Sequence, residues 1–145
     1  MKIQEQDMYH GAVLTQIVQA SSFKAVNRGS TKYGHYRIND DRDLFVKYLK
    51  KARGPWTFTT QASELAAMQA VLNSGRKLFL CLVCGKETIC VLTSADISAV
   101  MDLSSSVPQW LRVEVPPGAS CHVSGSTGAL PRAIAHSAFP RNVFR

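Results

Sequence analysis

The sequence predicts an α+β domain: a mixed, mainly antiparallel sheet with an N-terminal helix and a central helix packed on it. Three observations carry this expectation. Apolar residues recur at helical spacing in two stretches, 7–20 and 60–74. Period-two alternation marks 56–59 and 110–115 as half-buried strands. Between them, 77–84 is continuously apolar after its first residue, as a strand covered on both faces requires.

Taken in order, the first helix over 7–20 is set by Tyr9, Val13 and Ile17, with Leu14 and Val18 widening the stripe. Asp7 is placed to cap it, and Gly11 invites a close neighbour. Three β segments follow at 23–27, 33–39 and 44–50, the last two joined by the polar turn Asn39-Asp40-Asp41-Arg42. Arg53-Gly54-Pro55 turns the chain into the strand 56–59. In the helix 60–74, Leu65, Met68 and Leu72 line one face, with Thr60 to cap its start and Gly75 to close its end. Gly85-Lys86-Glu87 connects the buried strand to an antiparallel neighbour over 88–92. Thr93-Ser94-Ala95-Asp96 resembles a capping box for a helix reaching about residue 103. The strand 110–115 points Arg112 and Glu114 outward and stops at Pro116-Pro117-Gly118. Gly125-Ser126-Thr127-Gly128 suits a hairpin, and Phe139 and Phe144 are placed to tie down the C-terminal segment.

A chain of 145 residues, 46% hydrophobic and 19% charged, fits one globular domain over 1–145 without repeats or linkers. Residues 1–7 are polar and mixed in charge, unlike a signal peptide. No apolar run approaches the roughly 18–20 residues that cross a bilayer. The expectation is therefore a cytoplasmic protein without a membrane partner. Four cysteines, Cys81, Cys84, Cys90 and Cys121, are expected as reduced thiols. The net charge of +7, from 17 Lys and Arg against 10 Asp and Glu, favours polyanionic partners.

The most informative position is Lys47. Strand geometry puts Phe45, Lys47 and Leu49 on one face of 44–50. If that face is covered, an ammonium sits among apolar groups and needs a carboxylate partner. If it is open, or if the stem packs while the head reaches water, the lysine is unremarkable. In the order helix, antiparallel strands, helix, strand, roughly residues 7–84 are similar to the core of the restriction-endonuclease-like superfamily. That resemblance implies an Asp at a strand end and an Asp/Glu-x-Lys on the next strand, which together build a Mg²⁺ site. Asp40, Asp41 or Asp43 matches the first acid and Lys47 the lysine, but Phe45 stands where the second acid belongs. Glu64 or Glu5 is then the remaining source of a displaced catalytic acid.

A second resemblance runs along most of the chain, to an uncharacterised family of small bacterial proteins. It is carried by Tyr9-His10-Gly11, Phe45-Val46-Lys47-Tyr48, Pro55-Trp56-Thr57-Phe58-Thr59 and Leu82-Val83-Cys84-Gly85. It implies a bacterial or mobile-element origin and no particular activity.

Other constellations are weaker. His10 is expected as a hydrogen-bonded structural residue more than as a base, and His35, His122 and His136 lack metal-ligand spacing. Cys81-Leu82-Val83-Cys84 reads Cys-x-x-Cys, yet residues three apart on a strand face opposite ways, so core packing is expected. Gly125-Ser126-Thr127-Gly128 lacks the lysine of a phosphate loop. No metal site and no cofactor is expected. What remains is positive charge near aromatic rings: Lys47, Lys50, Lys51 and Arg53 precede Trp56, with Tyr48 also near. Lys24, Arg28 and Lys32 flank an earlier turn, and Arg76, Lys77, Arg132, Arg141 and Arg145 add to the excess. The leading expectation is a degenerate, non-cleaving nuclease-like domain that contacts nucleic acid through Lys47, Lys50, Lys51, Arg53 and Trp56. The alternatives are a protein-interaction module docking on a larger complex, and a metal-dependent nuclease with candidate groups Asp40, Asp43, Lys47 and Glu64.

Overall fold

The computed structural model describes residues 1–32 and 34–145. Tyr33, expected to open the second strand, lies outside the described residues.

Helix α1 (Glu5–Val18) starts one turn earlier than its apolar stripe suggests. Gln4 is the N-cap, and Asp7 works from the third helical position, its carboxylate accepting the Gln4 N–H at 2.8 Å. Gly11 has open space where a Cβ would stand, so the expected close neighbour is absent. Strands β1 (Val26–Arg28), β2 (His35–Ile38) and β3 (Arg42–Leu49) form an antiparallel meander, tightened by Asn39 and Asp40 at positive φ. β4 (Trp56–Thr60) leads into α2 (Ala62–Asn73), which returns the chain as β5 (Lys77–Cys84) parallel to β3. β6 (Thr88–Thr93), α3 (Ser94–Val100), β7 (Gln109–Glu114), β8 (His122–Gly125) and β9 (Gly128–Ala129) follow. The chain closes with the short turn α4 (Ala138–Arg141) and a 3-10 turn over Asn142–Phe144.

Among the described residues the strands make a five-stranded sheet ordered β1-β2-β3-β5-β6 and a four-stranded sheet ordered β4-β7-β8-β9. Among the described residues only β3 and β5 pair in parallel, and the other pairings are antiparallel. The α+β class and the mixed, mainly antiparallel sheet are thus as expected. The path of β4 is not. β3 already has β2 on one side and β5 on the other, so β4 pairs with β7 in the second sheet. Thr60 does not cap α2 either: it ends β4, buried, and Gln61 is the N-cap. α3 stops at Val100, sooner than expected, and the extended Met101 follows it.

Two apolar cores lie on opposite faces of the larger sheet. On one face, Phe45, Leu80 and Leu82 pack with Leu65 and Met68 of α2, Ile97 of α3, and Trp56, Leu111 and Val113 of the second sheet. On the other, Leu44, Val46, Cys81 and Val83 pack with Val13 and Ile17 of α1 and with Phe139 and Val143 near the C-terminus. β5 is buried on both faces after its first residue, as its sequence requires. No helix among the described residues is long and apolar enough to cross a membrane.

Candidate nucleic-acid interface

Alternation along β3 sends Asp43, Phe45 and Lys47 to one face, and the sheet register sets Arg37 opposite Asp43 and His35 opposite Phe45. Around Asp43 this assembles a hub. The carboxylate is 0% exposed and accepts three hydrogen bonds: from His35 Nε2 at 2.6 Å, Arg37 Nε at 3.1 Å and Arg76 Nε at 3.0 Å. Arg76 arrives from the turn between α2 and β5, so strands distant in sequence meet on one acid. Burial alone would raise the Asp43 carboxyl, but the bonds from Arg37, His35 and Arg76 outweigh it and hold it below the ordinary carboxylate range.

His35 is fixed from every side. Its ring stacks on Phe45 with centroids 4.2 Å apart, its Nδ1 meets Ser30 Oγ at 3.2 Å, and a Cβ at Gly29 would run into the ring. The series Ser30, His35, Asp43 has the residue types of a hydrolytic triad. The Ser30 hydroxyl, however, donates to the Lys32 carbonyl at 3.0 Å and accepts from the Lys32 N–H, which ties it into its own turn. The array holds a ring in place.

The hub extends along the end of the sheet where β3 and β5 begin. Arg42 lies opposite Lys77 in the parallel register. Its guanidinium binds Asp41 at 2.8 Å and the Val143 carbonyl at 2.7 Å. Lys77 Nζ donates to the Arg145 carbonyl at 2.6 Å. This end of the sheet is therefore basic on both sides, with Arg37 and Arg76 on the Asp43 face and Arg42 on the opposite face, against Val143. Arg76, Lys77 and Arg145 also rim a depression of about 510 Å³ floored by Leu72, Leu78 and Phe79. Arg37 and Arg76 are 32% and 29% exposed, and each spends only its Nε on Asp43. Among the described residues their terminal amino groups bond no protein atom. Such oriented guanidinium forks match the oxygens of a phosphate.

The residues expected from sequence to contact nucleic acid, Lys47, Lys50, Lys51, Arg53 and Trp56, sit elsewhere and do not converge. Lys47 points under α2, where its Nζ bonds Glu64 Oε2 at 2.8 Å, with both side chains largely buried. The expected carboxylate partner is thus Glu64, and the pair joins β3 to the first turn of α2. Lys50 is 73% exposed and reaches Glu5 of α1 at 3.5 Å. Lys51 caps the Pro55 carbonyl at 3.1 Å. Arg53 stands on a separate groove. Trp56 is only 2% exposed, its indole N–H bound to the Lys51 carbonyl, so its ring is core and presents no stacking face. Tyr48 is stacked on Tyr9 at 4.5 Å.

The candidate metal-site acids are likewise kept apart. Asp43 and Lys47 are four residues apart on a strand, roughly 13 Å at ~3.3 Å per residue, and Glu64 stays with Lys47. Phe45, under His35, fills the space between. Asp40 is exposed in the turn, near the Asn27 amide. Among the described residues no three metal-binding groups are arranged around a common point. His10 bonds the Tyr36 hydroxyl at 3.1 Å, a structural contact, and burial lowers its pKa. Arg37, absent from the sequence-based candidates, carried a usable signal: counting back from the turn at 39–41 places it opposite Asp43.

No family model, curated protein or solved structure matches the chain.

Proposed function

We propose that this protein contacts nucleic acid without cutting it, and that the contact surface is the basic end of the larger sheet centred on Arg37 and Arg76. The observation that carries this reading is the shared Asp43 carboxylate. One buried acid orients two guanidiniums from different elements, and among the described residues their terminal donors bond no protein atom. A phosphate approaching there meets donors whose ordering has already been achieved in folding, so little side-chain entropy is lost on binding. Lys77 and Arg145 extend the positive surface beside them. The net charge of +7 supplies long-range attraction.

Metal-assisted cleavage needs two carboxylates near one ion, whereas among the described residues Asp43 is spent on His35, Arg37 and Arg76 and Glu64 on Lys47, which supports binding over hydrolysis. The test is fluorescence anisotropy with labelled single-stranded and duplex oligonucleotides at low and moderate salt. Wild-type protein binds, and its affinity falls steeply as salt rises. Replacing Arg37 and Arg76 together by Gln weakens binding more than replacing Lys50 and Arg53 together. No binding, salt-independent binding, or equal loss in both double variants overturns the proposal.

A further inference from the structure

The depression beside Arg76 lies across the end of the larger sheet, between the close of α2 and the C-terminal turn. Its volume of about 510 Å³ falls within the roughly 300–1,000 Å³ common to small-ligand sites. Three features of its lining act together.

The first is an apolar floor. Leu72 of α2 is half-buried and stands with Leu78 and Phe79 of β5. Leu78 and Phe79 are 1% and 4% exposed, so the apolar surface within reach is chiefly that of Leu72. Gly75, which closes α2 at φ +84°, leaves this side uncovered, with open space where a Cβ would stand.

The second is the placing of charge. Arg76, Lys77 and Arg145 stand at the rim, and among the described residues no acid lines the depression. Arg76 belongs to both sites: Asp43 holds its Nε at 3.0 Å while the side chain borders the depression. The Lys77 ammonium donates once, to the Arg145 carbonyl at 2.6 Å, which leaves it two further N–H donors.

The third is Asn142. It lines the wall, and its side-chain oxygen is buried with no hydrogen-bond partner among the described residues. Folded proteins pair most such atoms, because a bare buried acceptor costs free energy. With its oxygen held by no protein donor, the amide can turn toward the opening, where an N–H from a ligand would satisfy it.

An apolar floor under a cationic rim suits a flat, weakly polar body attached to an anion. An N–H on the edge of that body completes the match. A nucleobase with its neighbouring phosphate supplies all three: a face that sheds water, an N–H on the Watson–Crick edge, and charged oxygens one sugar away. A hydrocarbon chain offers Asn142 nothing. Resting on the reading of Arg76 as a phosphate contact, we propose that this depression takes one unstacked nucleobase of a single strand. Asn142 accepts from the base edge, and Arg76 holds the adjoining phosphate. A duplex keeps its bases stacked and paired, so a base reaches the floor only after flipping out, at a cost that a single strand avoids. Every base has an apolar face and an edge N–H, so the site tolerates any sequence.

The experiment is fluorescence anisotropy with three labelled ligands: a short single strand, the same sugar–phosphate backbone without bases, and a duplex. Wild-type protein binds the ordinary strand at least about tenfold more tightly than the baseless one, and more tightly than the duplex. Leu72→Gln makes the floor polar at similar size, and Asn142→Leu removes the acceptor. Each weakens the ordinary strand about three- to tenfold and leaves the baseless strand unchanged, with melting curves showing both variants folded. A strand carrying 4-thiouridine, irradiated on the protein and mapped by mass spectrometry, crosslinks within residues 72–79 or 142–145. Adenosine monophosphate displaces the strand only far above the strand's own Kd; displacement at or below it assigns the site to a free nucleotide and overturns the strand. Equal affinity for ordinary and baseless strands, variants that match wild type, or crosslinks confined elsewhere, as on the 43%-exposed Trp110, overturn the base site and leave the phosphate surface standing. Failure of both single strands to bind removes the two readings together.

Discussion

Replacing Asp43 by Ala tests the hub that orients the two arginines. Asp43 is fully buried and accepts three charge-assisted hydrogen bonds. The bond from His35, itself 7% exposed, cannot be replaced by water and is worth about 1.5–3 kcal/mol. Arg37 and Arg76 are close to one-third exposed and rehydrate once released, so each contributes only about 0.5–1 kcal/mol. The total loss is about 3–4 kcal/mol, within the range for breaking a buried ion pair by removing one partner. That corresponds to a fall of roughly 10 °C in melting temperature for a domain of this size. Urea unfolding followed by circular dichroism measures it, alongside calorimetry. Arg37→Ala and Arg76→Ala, each leaving Asp43 two donors, lose no more than about 1 kcal/mol. If Asp43→Ala stays within 1 kcal/mol of wild type, or if either arginine variant costs as much as the aspartate, the hub does not hold this part of the sheet.

Three further outcomes follow from the same geometry. Acid should weaken the fold with a definite sign. The Asp43 carboxyl lies lower folded than unfolded, so its contribution is complete above the unfolded value of about 4 and is lost as pH falls through the depressed folded value. Asp43→Asn therefore flattens the decline of stability below pH ~4, read from urea midpoints across pH. Lys47→Ala strands the largely buried Glu64 carboxylate and costs about 2 kcal/mol, whereas Lys47→Met with Glu64→Leu recovers most of it, as a double-mutant cycle of unfolding midpoints would show. Gly85→Ala costs about 3 kcal/mol in the same assay, because Gly85 has φ +56° and a Cβ there would strike the Lys51 carbonyl.

Much of the architecture was legible because local chemistry and tertiary packing agree. The continuous apolar run of β5 could only be a strand covered twice, and Leu65 and Met68 face the core as helical spacing requires. The α+β class followed from such segments. What failed was long-range pairing. Trp56 and Phe58 alternate as a strand should, but nothing in their neighbourhood says that β3 has no free edge for them. The aromatic content of the 50–56 segment suggested a stacking surface, although a tryptophan flanked by alternating threonines is equally well placed to bury its ring.

The site shows the same division. The sequence shows that Lys47 needs a carboxylate if its strand face is covered, but it offers Glu64 only as a displaced metal-site acid, and the pairing of the two emerges from the packing of α2 on β3. The basic surface itself depends on which strand ends adjoin. Arg76 and Lys77 reach Arg42 and Asp43 only through the parallel β3–β5 pairing, a contact between residues more than thirty positions apart. Charge counting registered Arg76, Lys77 and Arg145 without locating them. The lysines near the other end of β3 drew attention because they are consecutive in sequence, and Lys50 and Lys51 point to different partners.

The most direct test of the account is the salt dependence of oligonucleotide affinity in wild type and in the Arg37→Gln, Arg76→Gln double variant. If both guanidiniums meet phosphates, the slope of log affinity against log salt becomes shallower by about 1.4 on single strands and about 1.8 on duplex. A double variant that keeps the wild-type slope, while its melting curve shows it folded, would contradict the assignment of this surface.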